Sequence, residues 1–116
     1  MASKRIAQVN ELIQQELSAI FRREIEFPLS TLVTITHVDT DPDIKTAQVY
    51  VSILPAQKYG TVLSTIKKRS PFIQSLLNKK LRMHHVPSLT YEIDAQMRYV
   101  DEIDTILDSL KEKNIP

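Results

Sequence analysis

Seven Lys or Arg residues lie between Pro55 and Tyr91 with no Asp or Glu among them, and they define the chemistry this chain can offer. They are densest in Lys67-Lys68-Arg69-Ser70-Pro71 and again at Lys79, Lys80 and Arg82. Cations left uncompensated by carboxylates bind phosphate, lysine as a point charge and arginine as a planar fork. Ser70 and Pro71 add a second feature. Serine is a favoured N-cap, proline fits the first helical position, and proline also pushes the residue before it out of the α region. The pattern predicts a helix that stops near Ser70 and a second that starts at Pro71. The free amides and positive dipole end of that second helix would face the same cations. The candidate contacts are therefore Lys67, Lys68, Arg69 and Ser70, then Lys79, Lys80 and Arg82, with Arg5 near the N-terminus as an auxiliary.

A charge run is ordinarily a solvated helix face. Here the distribution argues for a ligand: residues 1–54 carry −2, residues 55–91 carry +7 and residues 92–116 carry −4, within a net charge of only +1. A near-neutral chain whose positive charge is gathered in one segment has a polarised field, and a polyanion is the usual partner.

The elements that must position these residues follow from apolar periodicity. Residues 3–27 read as an amphipathic helix capped by Ser3 and closed by Pro28, with Ile6, Val9, Ile13, Leu17 and Ile20 on one stripe. Leu32 to Val38 is β-branched and reads as a strand. Thr46 to Leu54 is a second, alternating Ala47, Val49, Val51 and Ile53 inward with Gln48, Tyr50 and Ser52 outward. After Pro55 a helix presents Tyr59, Val62, Leu63 and Ile66 to the core. The helix beyond the break, to about Met83, presents Ile73, Leu76, Leu77 and Leu81, with Lys79 and Arg82 pointing away and Lys80 falling inside the apolar arc. Leu89 to Asp94 is a third strand, and residues 98–113 form a last helix with an acidic outer face. The expected order is α-β-β-α-α-β-α, an α+β arrangement with helices on one face of a three-stranded sheet. One domain over 1–116 is expected.

Other chemistry is disfavoured. There is no Cys, so thiolate catalysis and Cys-based metal sites are excluded, and a single Gly cannot form a phosphate-cradling loop. Asp39, Asp41 and Asp43 have the spacing that opens a calcium loop, but the sixth position is Ile44 in place of Gly and the twelfth is Tyr50 in place of Glu. Adjacent His84 and His85 are poorly spaced as ligands of one metal, and His37 is remote in sequence. No enzyme, metal or cofactor is expected. No apolar run approaches a membrane span and no signal-peptide core opens the chain, so a cytoplasmic location is expected.

The α-β-β-α-α-β order with a basic helix junction resembles a type II K-homology (KH) domain, in which a Gly-X-X-Gly loop clamps nucleic-acid backbone. More specifically, the chain resembles the ribosome-binding factor A family over nearly its full length. The resemblance lies in Arg22-Arg23-Glu24-Ile25-Glu26-Phe27-Pro28 and in Ala47-Gln48-Val49-Tyr50-Val51. It continues through Phe72-Ile73-Gln74-Ser75-Leu76-Leu77, Leu81-Arg82-Met83 and Val86-Pro87-Ser88-Leu89. That family has an Ala-X-Gly kink between its paired helices, where this chain has Arg69-Ser70-Pro71. The resemblance implies a non-enzymatic, monomeric factor that binds free or immature 30S subunits through 16S rRNA, with ribosomal proteins as neighbours. It further implies assistance in late 16S rRNA processing and in growth in the cold. Two other readings stand beside it: a protein-interaction module using a sheet edge or the acidic last helix, and a KH-like binder of other single-stranded RNA.

Overall fold

The computed structural model describes residues 4–94; the Ser3 cap and the helix expected over 98–113 lie outside the described residues. The order is α1 (Lys4–Glu24), β1 (Leu32–Thr40), β2 (Thr46–Leu54), α2 (Tyr59–Lys80) and β3 (Ser88–Ile93), with a short 3₁₀ turn at Ala56–Lys58 before α2. This is an α+β architecture, with a sheet of order β1-β2-β3. β1 and β2 form an antiparallel hairpin, while β3 runs parallel to β2 after a crossover through α2.

The core forms where the helices meet the sheet. The α1 stripe of Ile6, Val9, Ile13, Leu17 and Ile20 is buried, joined by Phe21. On the central strand Ala47, Val49, Val51 and Ile53 are all buried, as the alternation predicts. Full burial of an aliphatic side chain contributes about 1.5–3 kcal/mol, so this layer dominates the stability. Ser52, placed on the outer face by the same alternation, is buried as well. α1 ends at Glu24, earlier than expected: Phe27 precedes Pro28 and is disfavoured in helix, and Ile25 enters the core from irregular chain.

β1 contains an irregularity that simple alternation does not foresee. The register shifts between Ile35 and His37, which makes Thr36 an extra residue. The inward positions therefore change parity, from Ile35 before the bulge to Val38 and Thr40 after it. Gln14 of α1 donates from Nε2 to the carbonyls of Ile35 and Thr36, both at 3.3 Å, and the Thr40 amide donates to Asn10 Oδ1 at 2.8 Å. α1 thus holds the edge strand through polar bonds as well as packing. In the β1–β2 connection Ile44 adopts φ 60°, a left-handed conformation rare for a β-branched residue, and its amide donates to Asp41 O.

The expected pair of helices is corrected. α2 is one helix from Tyr59 to Lys80, with Pro71 inside it and no cap at Ser70. The reason is the phase of the buried stripe: Val62, Ile66, Ile73 and Leu77 are fully buried, and at 100° per residue they span only about 60° of the helix circumference. One uninterrupted helix satisfies both halves at once. Pro71 falls on the opposite, exposed side, so the Lys67 carbonyl that loses its i+4 amide can turn to water. α2 stops at Lys80, where Leu81 turns extended while its amide still bonds Leu77 O; Lys80 is exposed and Leu81 is buried.

Gln74 ties α2 to β3. Its Nε2 donates to Pro87 O at 3.0 Å and its Oε1 accepts from the Leu89 amide at 3.1 Å. Gln74→Met keeps the volume but strands both backbone groups. It is expected to cost about 1–3 kcal/mol, read as a lower urea midpoint with an unchanged slope.

Candidate nucleic-acid interface

The cations of α2 are sorted by helix geometry. Lys67, Lys68 and Arg69 are all exposed, but consecutive residues fan out by about 100° each, so the triplet spreads around the helix, Lys68 farthest from the buried stripe and Arg69 at its edge, instead of forming one ridge. Lys68 shares a line with Phe72, Ser75 and Lys79, at steps of four, three and four residues. Arg69 lies beside that line with its guanidinium over the Phe72 ring, 4.4 Å from the centroid. Lys79 and Lys80 also sit in the last turn of α2, where they complement the dipole. Among the described residues no carboxylate pairs with any of these cations.

Ser70 does not join them. It is half-buried and turned toward the Tyr91 hydroxyl, which is buried and among the described residues has no hydrogen bond of normal geometry. Burial pushes the Tyr91 phenol far above its ordinary value, with Ser70 acting weakly in the opposite sense, so the phenol stays protonated. The helix N-terminus expected at Pro71 is absent too, and the electrostatics of this surface come from side chains alone.

Arg5 and Arg82, 77 positions apart in sequence, line one cleft of about 730 Å³. Arg5 comes from the first turns of α1, and Arg82, His84 and His85 from the α2–β3 connection; Asp43 approaches from the β1–β2 connection. The histidines set aside as ligands of a metal therefore stand beside two arginines, a placement that only the tertiary fold creates. This cleft and the Lys67–Lys68 surface are roughly 20 Å apart along α2, too far for one phosphate to touch both.

Among the described residues, the sheet face turned away from α1 and α2 has the opposite character. His37 and Tyr50 stack there with centroids 4.2 Å apart and an interplanar angle of 12°. Asp94 accepts a hydrogen bond from Thr36 Oγ1 at 2.6 Å and lies 3.6 Å from His37 Nδ1. The Tyr50 phenol is raised, first by desolvation and then by the carboxylates of Glu92, Asp39 and Asp94. An aromatic pair set among three carboxylates repels a phosphate chain, so the sheet face is a poor surface for RNA. Among the described residues no group of three or more His, Asp or Glu is placed to hold a metal, and no helix is long and apolar enough to cross a membrane.

A family model described as ribosome-binding factor A matches residues 5–107. The ribosome-binding factor A of Clostridium botulinum (strain Loch Maree / type A3) is 33% identical over 114 residues, spanning 97% of this chain and 95% of that protein. The corresponding protein of Desulfitobacterium hafniense (strain Y51) is 30% identical over 114 residues, spanning 97% and 91%. In structure, the chain is similar to crystalline ribosome-binding factor A from Thermus thermophilus, with TM-score 0.67 and 18% identity over 76% of this chain and 94% of that one. It is also similar to a homology model of the Thermus thermophilus factor fitted into the cryo-EM map of a 30S complex, with TM-score 0.62 and 19% identity over 79% and 93%. At such identities the structural likeness is one of fold.

Proposed function

This chain belongs to the ribosome-binding factor A family, and from that premise we propose that it binds free, immature 30S subunits through 16S rRNA and assists late 16S rRNA processing, including in the cold. The observation that carries the proposal is the set of α2 cations, Lys67, Lys68, Arg69, Lys79 and Lys80, which stand exposed with no carboxylate partner among the described residues. Such cations contact phosphates, which supplies affinity and orientation with little reading of sequence. Arg82 and Arg5 form a second anchor at the end of α2. Specificity then comes from the shape of folded rRNA reaching both anchors. In this reading the protein is one KH-like unit, acts as a monomer in the cytoplasm and catalyses no reaction. Support for the 30S subunit as partner comes from the Thermus thermophilus factor, whose homology model was fitted into the map of a 30S complex.

Cells lacking the protein are expected to accumulate free small subunits containing unprocessed 16S rRNA, seen as an enlarged 30S peak in a sucrose gradient and as extended rRNA ends. A normal gradient with mature ends in cold-grown cells would overturn the proposal.

A second reading has its own observation, the acidic sheet face around Tyr50. A protein partner with a basic surface suits that face, and neighbouring ribosomal proteins are the natural class. Recovery of a partner in a pull-down after complete nuclease digestion separates this contact from one bridged by RNA.

A further inference from the structure

One residue on the solvent side of α2 breaks its polar pattern. Phe72 lies roughly 110° from the centre of the buried stripe, outside the apolar arc. It is 36% exposed, and no part of the sheet requires it there. The same helix line carries Lys68 before it and, beyond Ser75, Lys79 after it, and the Arg69 guanidinium covers it at 4.4 Å.

We propose that the Arg69–Phe72 pair is a stacking platform for an unpaired RNA base, with Lys68 and Lys79 holding the phosphates on either side. The inference rests on the rRNA-binding reading and deepens it. A phenyl ring and a guanidinium plane are two of the surfaces on which splayed bases stack, and stacking tolerates any base because each has a π-face. The cation–π contact orders the arginine before the ligand arrives, so less side-chain freedom is lost on binding. Lys68 and Lys79 are eleven positions apart, about 16 Å along the helix, a span that brackets Phe72. The acidic surroundings of Tyr50 deny the same role to the other exposed aromatic pair. If Arg69 merely shields a stray phenyl ring, the pair has no part in binding.

The chain contains no Trp, so Phe72→Trp in the full-length protein introduces a single fluorescent reporter at the platform. Titration with free small subunits and with polyuridylate is expected to quench it, since a stacked base quenches indole emission, whereas a blunt RNA duplex leaves it unchanged. Phe72→Leu is expected to weaken binding to both single-stranded polyuridylate and subunits by about tenfold, at the low end of what one stacked base contributes. The salt dependence should stay the same, because no counterion is involved. A urea midpoint close to that of the unsubstituted protein verifies that Phe72→Leu folds. Emission unmoved by both single-stranded RNA and subunits, or equal quenching by duplex, overturns the platform, as does wild-type affinity in Phe72→Leu. Loss of Lys67 and Lys68 distinguishes the two levels. If that double alanine variant also binds subunits normally, the rRNA-binding reading of α2 fails as a whole; if it alone weakens binding, only the platform fails.

Discussion

Replacing Pro71 with alanine is expected to stabilise the protein by about 2–3 kcal/mol, a gain in melting temperature of roughly 10 °C. Pro71 stands inside α2 with more than two turns of helix on either side of it. It has no amide for the Lys67 carbonyl, and a proline ring in a helix interior crowds the carbonyl four residues back. Neither defect is offset by burial, because Pro71 is exposed. Alanine supplies the amide, removes the ring and has the highest helix propensity. The buried stripe on the far side of α2 is untouched, so nothing in the core has to adjust. Thermal and urea unfolding of Pro71→Ala check the size of the gain. Since Lys68 and Lys79, on either side of residue 71, already share one helix line in the uninterrupted α2, subunit binding is expected to be retained. A variant no more stable than the parent would mean that the ring makes compensating contacts, and that the bond lost at Lys67 is made good by water.

Pro71 also shows where sequence reasoning and tertiary packing part company. Serine followed by proline is a sound start signal when the flanking apolar residues fall out of phase, because a break then lets each half find its own partner. Here Val62, Ile66, Ile73 and Leu77 stay in phase through the proline, and that was legible in the spacing alone. The signal that overrides the local chemistry is which face proline occupies: on the solvent side its missing bond is tolerable. Most of the rest of the fold followed from periodicity, most clearly the alternation of β2. The Thr36 bulge did not, because the extra residue is held by Gln14 and Asp94, partners 22 and 58 positions away. The same limit applies to the site. Lys67 and Lys68 were visible as charge, and Phe72 was detectable as an apolar residue at a polar position. The assembly of Arg5, Arg82, His84 and His85 in one cleft required the β1–β2 connection, the start of α1 and the end of α2 to meet.

The largest effect on binding is expected from Lys67, Lys68 and Arg69 replaced by alanine together. Each cation that neutralises a phosphate releases a condensed counterion. Three such contacts contribute about 100-fold in affinity near physiological salt, with a fall of two to three in the slope of log K against log salt. Because all three side chains are exposed, their removal leaves the core intact, and alanine is at least as good a helix former. Co-sedimentation with free small subunits across a range of salt reads both quantities in one experiment. Arg69→Ala contributes in a second way, since it also uncovers Phe72, so the triple variant should lose slightly more than the counterion term at high salt, where that term fades. Arg5→Ala with Arg82→Ala removes the other anchor and should lower the slope by up to two more, additively, because the clusters are about 20 Å apart and share no contact. An unchanged slope in the triple variant would place the RNA elsewhere on the molecule. The cleft lined by Arg5 and Arg82 at the end of α2 would then be the next surface to test, since the sheet face around Tyr50 is acidic.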